Sequence, residues 1–522
     1  MFINLTGSNQ TLSENRGNKM SKKILSALLA ALLLSTSFTA CSESNTEANI
    51  DETTSSAAVS AEPAAEEAVE EELSDLELRQ RISDDLPEMT WDGADFRVYT
   101  SDATWADYEG EIIAEELTGD ACNDAVYNRN IRIEERFEVK MSVSSDSTPW
   151  NMPKTLAHAG TDDYHLVAFY DYQANVPISA EALLNWMEAP YQDLDKPWHN
   201  KLANDGATIN NRLYAICSDL SYTSMTFTHT IFANLDLLDQ YGHMREDLYN
   251  LVLEGKWTID QFISMIGEMY QDTNGNGKSD TSDLYGFGYS VWNPADVWFT
   301  AFGGQITTIN ETGRLDVTFM SEKTVSMLEK LFSFHFNFPG FISLANQYDE
   351  EDYFAGGQLV FAPMRFQAAY IELRDMEDEY TMLPYPKWDE EQAEYYTNAD
   401  DKFTVFGMPT PSYNSLEFVS MIFEALCAES YKTVYPAYYD QALKGKYSTD
   451  RQTADMVDLI MAGRKFDFAF QFGNSLFVMI PYMLRGQIQD NNPNIASEYK
   501  KIEKSLNKSL EKKLYPLYGF ED

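Results

Sequence analysis

An oxygen-rich loop is the sharpest chemical signal in this chain of 522 residues. Residues 272–283 (DTNGNGKSDTSD) place oxygen-bearing side chains at loop positions 1, 3, 5, 9 and 12, with glycine at position 6. This spacing matches the calcium loop of an EF-hand, in which position 7 contributes a backbone carbonyl. The sequence therefore predicts a structural calcium ion held by Asp272, Asn274, Asn276, Lys278, Asp280 and Asp283.

Two departures separate this loop from a paired calcium sensor. Position 12 is Asp283 where a bidentate glutamate is usual, and residues 284–287 (LYGF) follow instead of a second amphipathic helix. We therefore expect a single calcium loop at the end of one helix. An Asx-rich solvent turn without metal is the alternative.

Aromatic residues beside polar ones are the second chemical signal. Sugars present apolar C–H faces that stack on aromatic rings, while their hydroxyls exchange hydrogen bonds with Asp, Asn and Arg. Three clusters follow predicted strands or the oxygen-rich loop, and core packing remains the alternative for any single ring. The candidate ligand-binding residues in them are Tyr170, Asp171, Tyr172, Trp292, Trp298, Arg365 and Phe366.

Several other kinds of chemistry are disfavoured. The chain has 38 Lys+Arg against 83 Asp+Glu, a formal charge of −45, which argues against nucleic acid as a partner. Gly275, Gly277 and Lys278 superficially resemble a phosphate-binding loop, but Asp272 stands where the first glycine is required. No histidine is followed by glutamate and no G-x-S-x-G motif occurs. A carboxylate pair for glycoside cleavage stays open, because sequence gives no separation between acids.

The N-terminal residues predict export. Met20 is a better start than Met1, since Lys22 and Lys23 then precede the apolar run 24–34, which is too short to span a bilayer. Residues 38–41 (FTAC) resemble the lipobox of bacterial lipoproteins, in which the cysteine, here Cys41, carries the lipid. We thus expect a signal peptide region over residues 1–40, and a mature protein held on the outer face of the membrane only by its lipid.

Residues 41–75 predict a disordered tether. From residue 42 to 75 the chain has eleven acidic residues, no basic ones, and otherwise mostly small or polar residues. Such a segment buries too little apolar surface to fold. With Cys41 lipidated, three cysteines remain, Cys122, Cys217 and Cys427, and we expect buried thiols, although one disulfide stays possible.

The folded part alternates strands and helices. Residues 96–100, 139–143 and 165–170 predict strands, and residues 123–137 carry a helical apolar spacing between the first two. Capping pairs predict two more helices, Thr258 with Gln261 and Asn414 with Glu417. Residues 358–363 (QLVFAP) predict another buried strand. Strands that alternate with helices imply an α/β fold with a parallel sheet, whose ligands bind beyond the carboxyl ends of the strands.

Several passages together resemble the sugar-type, family 1-like extracellular solute-binding lipoproteins of ABC importers from Firmicutes. The similarity covers nearly all of residues 90–480, behind the lipobox. The matching passages are DAVY (124–127) through ERF (135–137), NRLY (211–214), GKWT (255–258) running into the loop up to residue 286, LPYP (383–386) and PAYYDQALKGKY (436–447).

The resemblance implies a two-lobe periplasmic-binding-protein-like fold of type II, with a hinge of crossing strands and a cleft between the lobes. It implies a first lobe of residues 76–220 plus 400–446 and a second of 222–398 plus 447–522. It adds Asp219 and Tyr222 to the residues near the cleft. Met364-Arg365-Phe366 stands where the family commonly has Trp, and Arg favours an acidic sugar or another anion.

The function implied is capture rather than catalysis. We expect a monomeric lipoprotein that closes over a mono- or oligosaccharide and delivers it to the permease subunits of an ABC transporter, with calcium as a structural cofactor. The alternatives are a surface glycoside hydrolase or lyase with a carboxylate pair, and a polysaccharide-binding lipoprotein without a transport role.

Overall fold

Two β-sheets organise the protein in a computed structural model that describes residues 74–336, 338–446, 451–477 and 479–521. The described residues form one compact unit. Its strands are β1 Ala94–Ser101, β2 Val139–Asp146, β3 Leu166–Tyr170, β4 His229–Asn234, β5 Tyr270–Gln271, β6 Leu284–Ser290, β7 Thr307–Ile309, β8 Leu315–Val317, β9 Phe341–Leu344, β10 Leu359–Arg365, β11 Tyr380–Leu383 and β12 Thr404–Gly407.

Helices surround both sheets. They are α1 Asp75–Arg81, α2 Ala121–Phe137, α3 Met152–Ala159, α4 Asn175–Ser179, α5 Lys201–Ala207, α6 Thr223–Thr226, α7 Leu235–Gln240, α8 Arg245–Leu253, α9 Ile259–Ile266, α10 Asn293–Ala301, α11 Glu322–His335, α12 Asp349–Ala355, α13 Leu416–Lys432, α14 Val434–Pro436, α15 Arg451–Ala462, α16 Met483–Gln489, α17 Ile495–Ser509 and α18 Tyr515–Leu517.

The first lobe is built on the sheet with strand order β12-β3-β1-β2. β1 runs parallel to β2 and to β3, and β12 pairs antiparallel with β3. Phe96, Leu166 and Phe406 from these strands pack in one apolar core with Phe423 of α13. The parallel pairs place the ends of β1 and β3 at the same edge of the sheet, as the βαβ pattern predicts.

The second lobe is built on the sheet with strand order β11-β4-β10-β6-β5, with β9 also paired to β6. Every residue of β4, β6 and β10 is buried, because helices or loops cover both faces of these strands. β10 is parallel to β6 and antiparallel to β4, so this sheet is mixed. β10 ends at Arg365, at the boundary with the first lobe.

The chain crosses between the lobes through segments that pair with each other. Thr228, just before β4, forms an antiparallel bridge with Ala399, which lies between β11 and β12. The Asp400 backbone N–H donates to the Phe227 carbonyl at 2.9 Å. These bridged crossings are the narrow connection about which two such lobes can rotate.

The local predictions are mostly confirmed, with differences at helix ends. Thr258 caps α9, since its side chain accepts a hydrogen bond from the Gln261 backbone N–H at 3.4 Å. The predicted cap at Asn414 is wrong: α13 begins at Leu416, after Ser415, without a side-chain cap bond. Cys217 and Cys427 are free thiols and are buried, whereas Cys122 is partly buried. Cys41, the signal peptide region and all but the end of the tether lie outside the described residues.

Candidate functional site: the cleft between the lobes

The cleft edge of the first lobe is aromatic. At the ends of β1 and β3 the Ser101 hydroxyl and the Tyr170 phenol are hydrogen-bonded at 2.5 Å. The Tyr170 ring lies 6.0 Å from that of Tyr172 and nearly parallel to it, and 6.1 Å from that of Trp105. Trp105, in the loop after β1, remains 44 % exposed. The Trp105 indole therefore packs against Tyr170 and keeps an exposed ring surface toward the cleft.

The second lobe contributes a buried arginine at the end of β10. The Arg365 guanidinium lies between two rings, 4.8 Å from the centroid of Phe227 and 4.6 Å from that of Tyr348. It is 3.9 Å from the Asp400 carboxylate and 3.8 Å from that of Glu351. Asp400, whose pKa is lowered, balances this charge within the protein, which weakens the expectation that Arg365 selects an anionic solute.

Between the lobes runs a charged loop, Asp400-Asp401-Lys402, which we call the crossing loop. Burial acts to raise the pKa of Asp400, but the positive charges of Lys402 and Arg365 outweigh it and lower the pKa to about 2. Burial and the neighbouring Asp400 charge raise the pKa of Asp401 to about 7. At neutral pH, Asp400 is therefore ionised, and Asp401 is the member of this pair that takes up a proton more readily.

Direct polar contacts join the lobes around the crossing loop. From the second lobe, Asn293 donates to Asp400 and the Tyr482 phenol donates to Asp401. The Lys402 Nζ donates to the Tyr348 phenol oxygen at 2.9 Å. Next to the loop, Gln367 Nε2 donates to the Trp105 carbonyl at 2.7 Å and so connects the lobes directly. The structure thus shows the two lobes in contact across the cleft.

A cavity of about 700 Å³, here called the larger cavity, opens between the lobes beside the crossing loop. This volume lies within the usual range for small-molecule sites. Among the described residues, no Lys, Arg or His lines it. Its aromatic and acidic lining residues are Trp105, Tyr108, Tyr222, Tyr370, Tyr438, Asp102, Asp107, Glu109 and Asp120.

Five residues predicted from sequence lie near this cleft in different positions. Tyr222 lines the larger cavity, its ring parallel to that of Tyr438 with centroids 5.6 Å apart. Tyr170 and Tyr172 lie behind Trp105, and Asp171 lines a second, smaller cavity. Arg365 is enclosed between rings, as described above. All five residues therefore lie at the lobe boundary, and of these five only Tyr222 lines the larger cavity.

The other predicted residues lie elsewhere. Trp298 and Phe366 are 0 % exposed, and the Trp298 indole N–H donates to the Tyr289 phenol at 3.0 Å, so core packing leaves neither ring available to a solute. Asp219 is partly buried and lines neither cavity, and burial raises its pKa to about 7. Trp292 is 43 % exposed, with the Arg485 guanidinium 5.5 Å from its ring.

Sequence reasoning missed most of the cavity wall. Trp105 follows a predicted strand, so the rule that selected Tyr170 would have found it too. Tyr108, Tyr370 and Tyr438 follow no pattern of their own and meet only through the tertiary fold.

The oxygen-rich loop folds into a hydrogen-bonded turn. Asp272 accepts the backbone N–H groups of Gly275 at 2.7 Å and Gly277 at 2.8 Å, and both glycines have positive φ. The side-chain amides of Asn274 and Asn276 donate to the Asp280 carboxylate.

The last acid of the loop, Asp283, is buried. It accepts the Thr273 and Asp280 backbone N–H groups at 3.2 and 3.1 Å and the Tyr270 phenol at 3.0 Å. Over the described ranges, no three His, Cys, Asp or Glu side chains gather as a metal-binding group. The carboxylates and amide oxygens have the right chemistry for calcium, but in this form hydrogen bonds within the loop already occupy them.

Two α/β lobes joined by bridged crossings define the two-lobe periplasmic-binding-protein-like fold. Comparison with solved structures gives the same fold: maltose-bound MalE3 of T. maritima matches with a TM-score of 0.50 and 12 % sequence identity, over 80 % of this chain and 99 % of that chain. The ABC substrate-binding protein Lmo0181 from Listeria monocytogenes, in complex with cycloalternan, matches with a TM-score of 0.49 and 15 % identity, over 82 % of this chain and 100 % of that chain.

Sequence comparisons add no family assignment. No protein-family model matches the chain, and no curated protein matches it. Within the described residues, no helix is long and apolar enough to cross a membrane.

Proposed function

We propose that this protein is an extracytoplasmic solute receptor that encloses a mono- or oligosaccharide between its lobes and presents it to the permease of an ABC transporter. The observation that carries the proposal is the larger cavity, because it combines aromatic faces with hydroxyl-binding carboxylates between two lobes. The maltose-bound state of MalE3, which has the same fold, supports a saccharide as the solute.

Capture follows from how the lobes meet. Ring faces such as that of Trp105 pack against the C–H faces of a sugar, and the cavity carboxylates accept its hydroxyl protons. Contacts between the lobes, such as that of Gln367 with the Trp105 carbonyl, stabilise the closed form. A solute that touches both lobes therefore shifts the population toward the closed form, and its release requires these contacts to break.

The experiment is a calorimetric titration with a panel of neutral mono- and oligosaccharides that includes maltose. We expect at least one saccharide to bind, and Trp105→Ala to weaken that binding by about two- to twelvefold, since stacking on an aromatic ring contributes about 0.5–1.5 kcal/mol. Trp292→Ala is the matched control, because Trp292 is as exposed as Trp105 but lines neither cavity.

Three outcomes separate the alternatives. If Trp105→Ala and Trp292→Ala lost affinity equally, the larger cavity would not be the saccharide site. New reducing ends or unsaturated products released from a polysaccharide would favour the hydrolase or lyase. Saccharide binding without any effect of gene deletion on uptake of that saccharide would favour the binding lipoprotein without a transport role.

Two further parts of the proposal concern anchoring and metal. We propose that Cys41 carries the lipid, which mass spectrometry of the membrane-extracted protein tests against a Cys41→Ser variant. We also propose that the loop 272–283 takes up calcium, with Asp272, Asp280 and Asp283 as its acidic ligands. Calcium then has to replace the hydrogen bonds that Asn274 and Asn276 donate to Asp280.

A further inference from the structure

A second cavity lies on the other side of the crossing loop. It has a volume of about 230 Å³, here called the smaller cavity, and residues of both lobes line it. Asp171 follows β3 of the first lobe, Asn398 and Asp401 lie on the crossing, and Gln471 follows α15 of the second lobe. At about 30 Å³ per water molecule, this space has room for about seven waters or a molecule of similar size.

Carboxylates are the charged hydrogen-bond acceptors of this cavity. Asp171 Oδ1 accepts from Gln471 Nε2 at 2.8 Å, and among the described residues no other donor reaches the Asp171 carboxylate. Asn398 also lines the cavity, but its Oδ1 is buried in the surrounding protein. Asp401 accepts from the Tyr482 phenol. A buried acceptor without a donor costs about 1–3 kcal/mol, so a guest that donates hydrogen bonds is favoured here.

Among the described residues, three of the four charged side chains that line the smaller cavity are acidic. Burial, followed by the negative charge of Asp401, raises the pKa of Asp171 to about 7. Burial and Asp400 raise the pKa of Asp401 to about 7, against the opposing positive charges of Lys402 and Arg485. Asp467 also lines the cavity, but its oxygens are engaged by the Thr307 hydroxyl and by backbone N–H groups. Lys465 is exposed at the rim, with Nζ 4.6 Å from the Tyr396 ring centroid.

Aromatic rings complete the wall. Phe403, Phe466 and Phe468 line the cavity together with the acceptors. A cation that meets ring faces and carboxylates in one enclosed space gains from both kinds of contact. A hydrated divalent ion is less suited to this cavity, because the three aromatic rings offer no hydrogen-bond acceptors to its water shell.

We propose that the smaller cavity binds a small protonated amine, whose N–H groups donate to the Asp171 and Asp401 carboxylates. This site is separate from the larger cavity and does not depend on the saccharide proposed for it. A bound amine supplies the donors that the buried oxygens lack and keeps both carboxylates ionised.

Calorimetry with ethanolamine hydrochloride tests this proposal on the full-length protein without saccharide. We expect ethanolamine to bind at about pH 8, and ethylene glycol, its neutral counterpart of similar size, to give no binding up to about 10 mM. Asp171→Asn should weaken ethanolamine binding by about tenfold or more. Asp219→Asn is the matched control, because burial raises the pKa of Asp219 similarly although it lines neither cavity.

The wild-type protein supplies a measurement that needs no variant. As pH falls from about 8 to about 6, Asp171 and Asp401 take up protons, so ethanolamine binding should weaken. The proposal is overturned if ethanolamine does not bind, if ethylene glycol binds equally well, or if sodium or potassium chloride at equal concentration competes fully. An unchanged affinity in a folded Asp171→Asn protein would overturn it as well.

Discussion

A buried glutamate beneath the crossings offers a prediction whose magnitude follows from the structure. Glu111, in the loop between β1 and α2, is 0 % exposed. Its carboxyl accepts from the Ser221 hydroxyl at 2.5 Å and from the Thr404 hydroxyl at 2.8 Å. Ser221 precedes one crossing and Thr404 follows another, so Glu111 joins both ends of the connection between the lobes.

Burial raises the pKa of Glu111 from its ordinary 4.5 to about 8. Below about pH 4.5 the carboxyl is neutral in both the folded and the unfolded protein, and its full contribution to stability is present. Between about pH 4.5 and 8 the unfolded chain is ionised while the folded protein still holds the proton, so this stability falls progressively and is lost once the pH passes about 8. The difference between about 8 and 4.5, at about 1.4 kcal/mol per pKa unit, amounts to about 5 kcal/mol as an upper figure.

Glu111→Gln keeps the shape and one of the two acceptor oxygens but cannot ionise. In urea unfolding followed by tryptophan fluorescence, we expect the variant to match the wild type within about 1 kcal/mol at about pH 5. At about pH 8.5 the variant should be the more stable protein by about 2–5 kcal/mol. Glu115→Gln, which removes an exposed acid from the same loop, should show no such pH dependence. A Glu111→Gln protein that is less stable than the wild type by the same amount at both pH values would refute the reasoning.

Three further predictions concern the cleft and the oxygen-rich loop. Gln367→Leu removes one neutral hydrogen bond between the lobes, which contributes about 0.5–1.5 kcal/mol. Calorimetry should therefore show a saccharide affinity that is about two- to twelvefold weaker. A variant with a changed melting temperature but unchanged affinity would contradict this. Asp400→Asn removes a negative charge beside the buried Arg365 guanidinium and should lower the free energy of unfolding by about 3 kcal/mol or more. The control Asp95→Asn changes an exposed acid and should alter the free energy of unfolding by no more than about 0.5 kcal/mol. Calcium chloride should raise the melting temperature of chelator-treated wild type but not of Asp280→Asn, and an equal rise with magnesium would argue against a calcium loop.

The sequence predicted this fold well wherever local pattern decides structure. The apolar residues of 96–100 predicted β1, alternation predicted β2, a near-continuous apolar run predicted β3, and helical spacing predicted α2. These patterns depend on neighbours within one element. The capping prediction succeeded at Thr258 and was wrong at Asn414, where a turn of 3-10 helix precedes α13. Where a helix begins also depends on the conformation of the residues that precede it, which a capping pair alone does not reveal.

The functional cleft was less predictable. The rule that ligands bind after strand ends selected Tyr170 and Arg365, and both lie at the lobe boundary. It also selected Trp298 and Phe366, which are buried, because the type of a residue does not reveal which side of an element faces the core. Whether a ring contacts a solute is decided by the packing of distant segments against it.

The sequence by itself determined the acidic composition, the order of strands and helices, and the composition of the oxygen-rich loop. These follow from residue types and short-range spacing. Only the tertiary structure decided that Trp105 and Tyr370 share a cavity, that Asp400 is ionised beside Arg365, and that Asp171 and Asn398 face a second cavity. Such relations depend on contacts between residues far apart in the chain, and burial among those contacts sets both the charge and the exposure of each group.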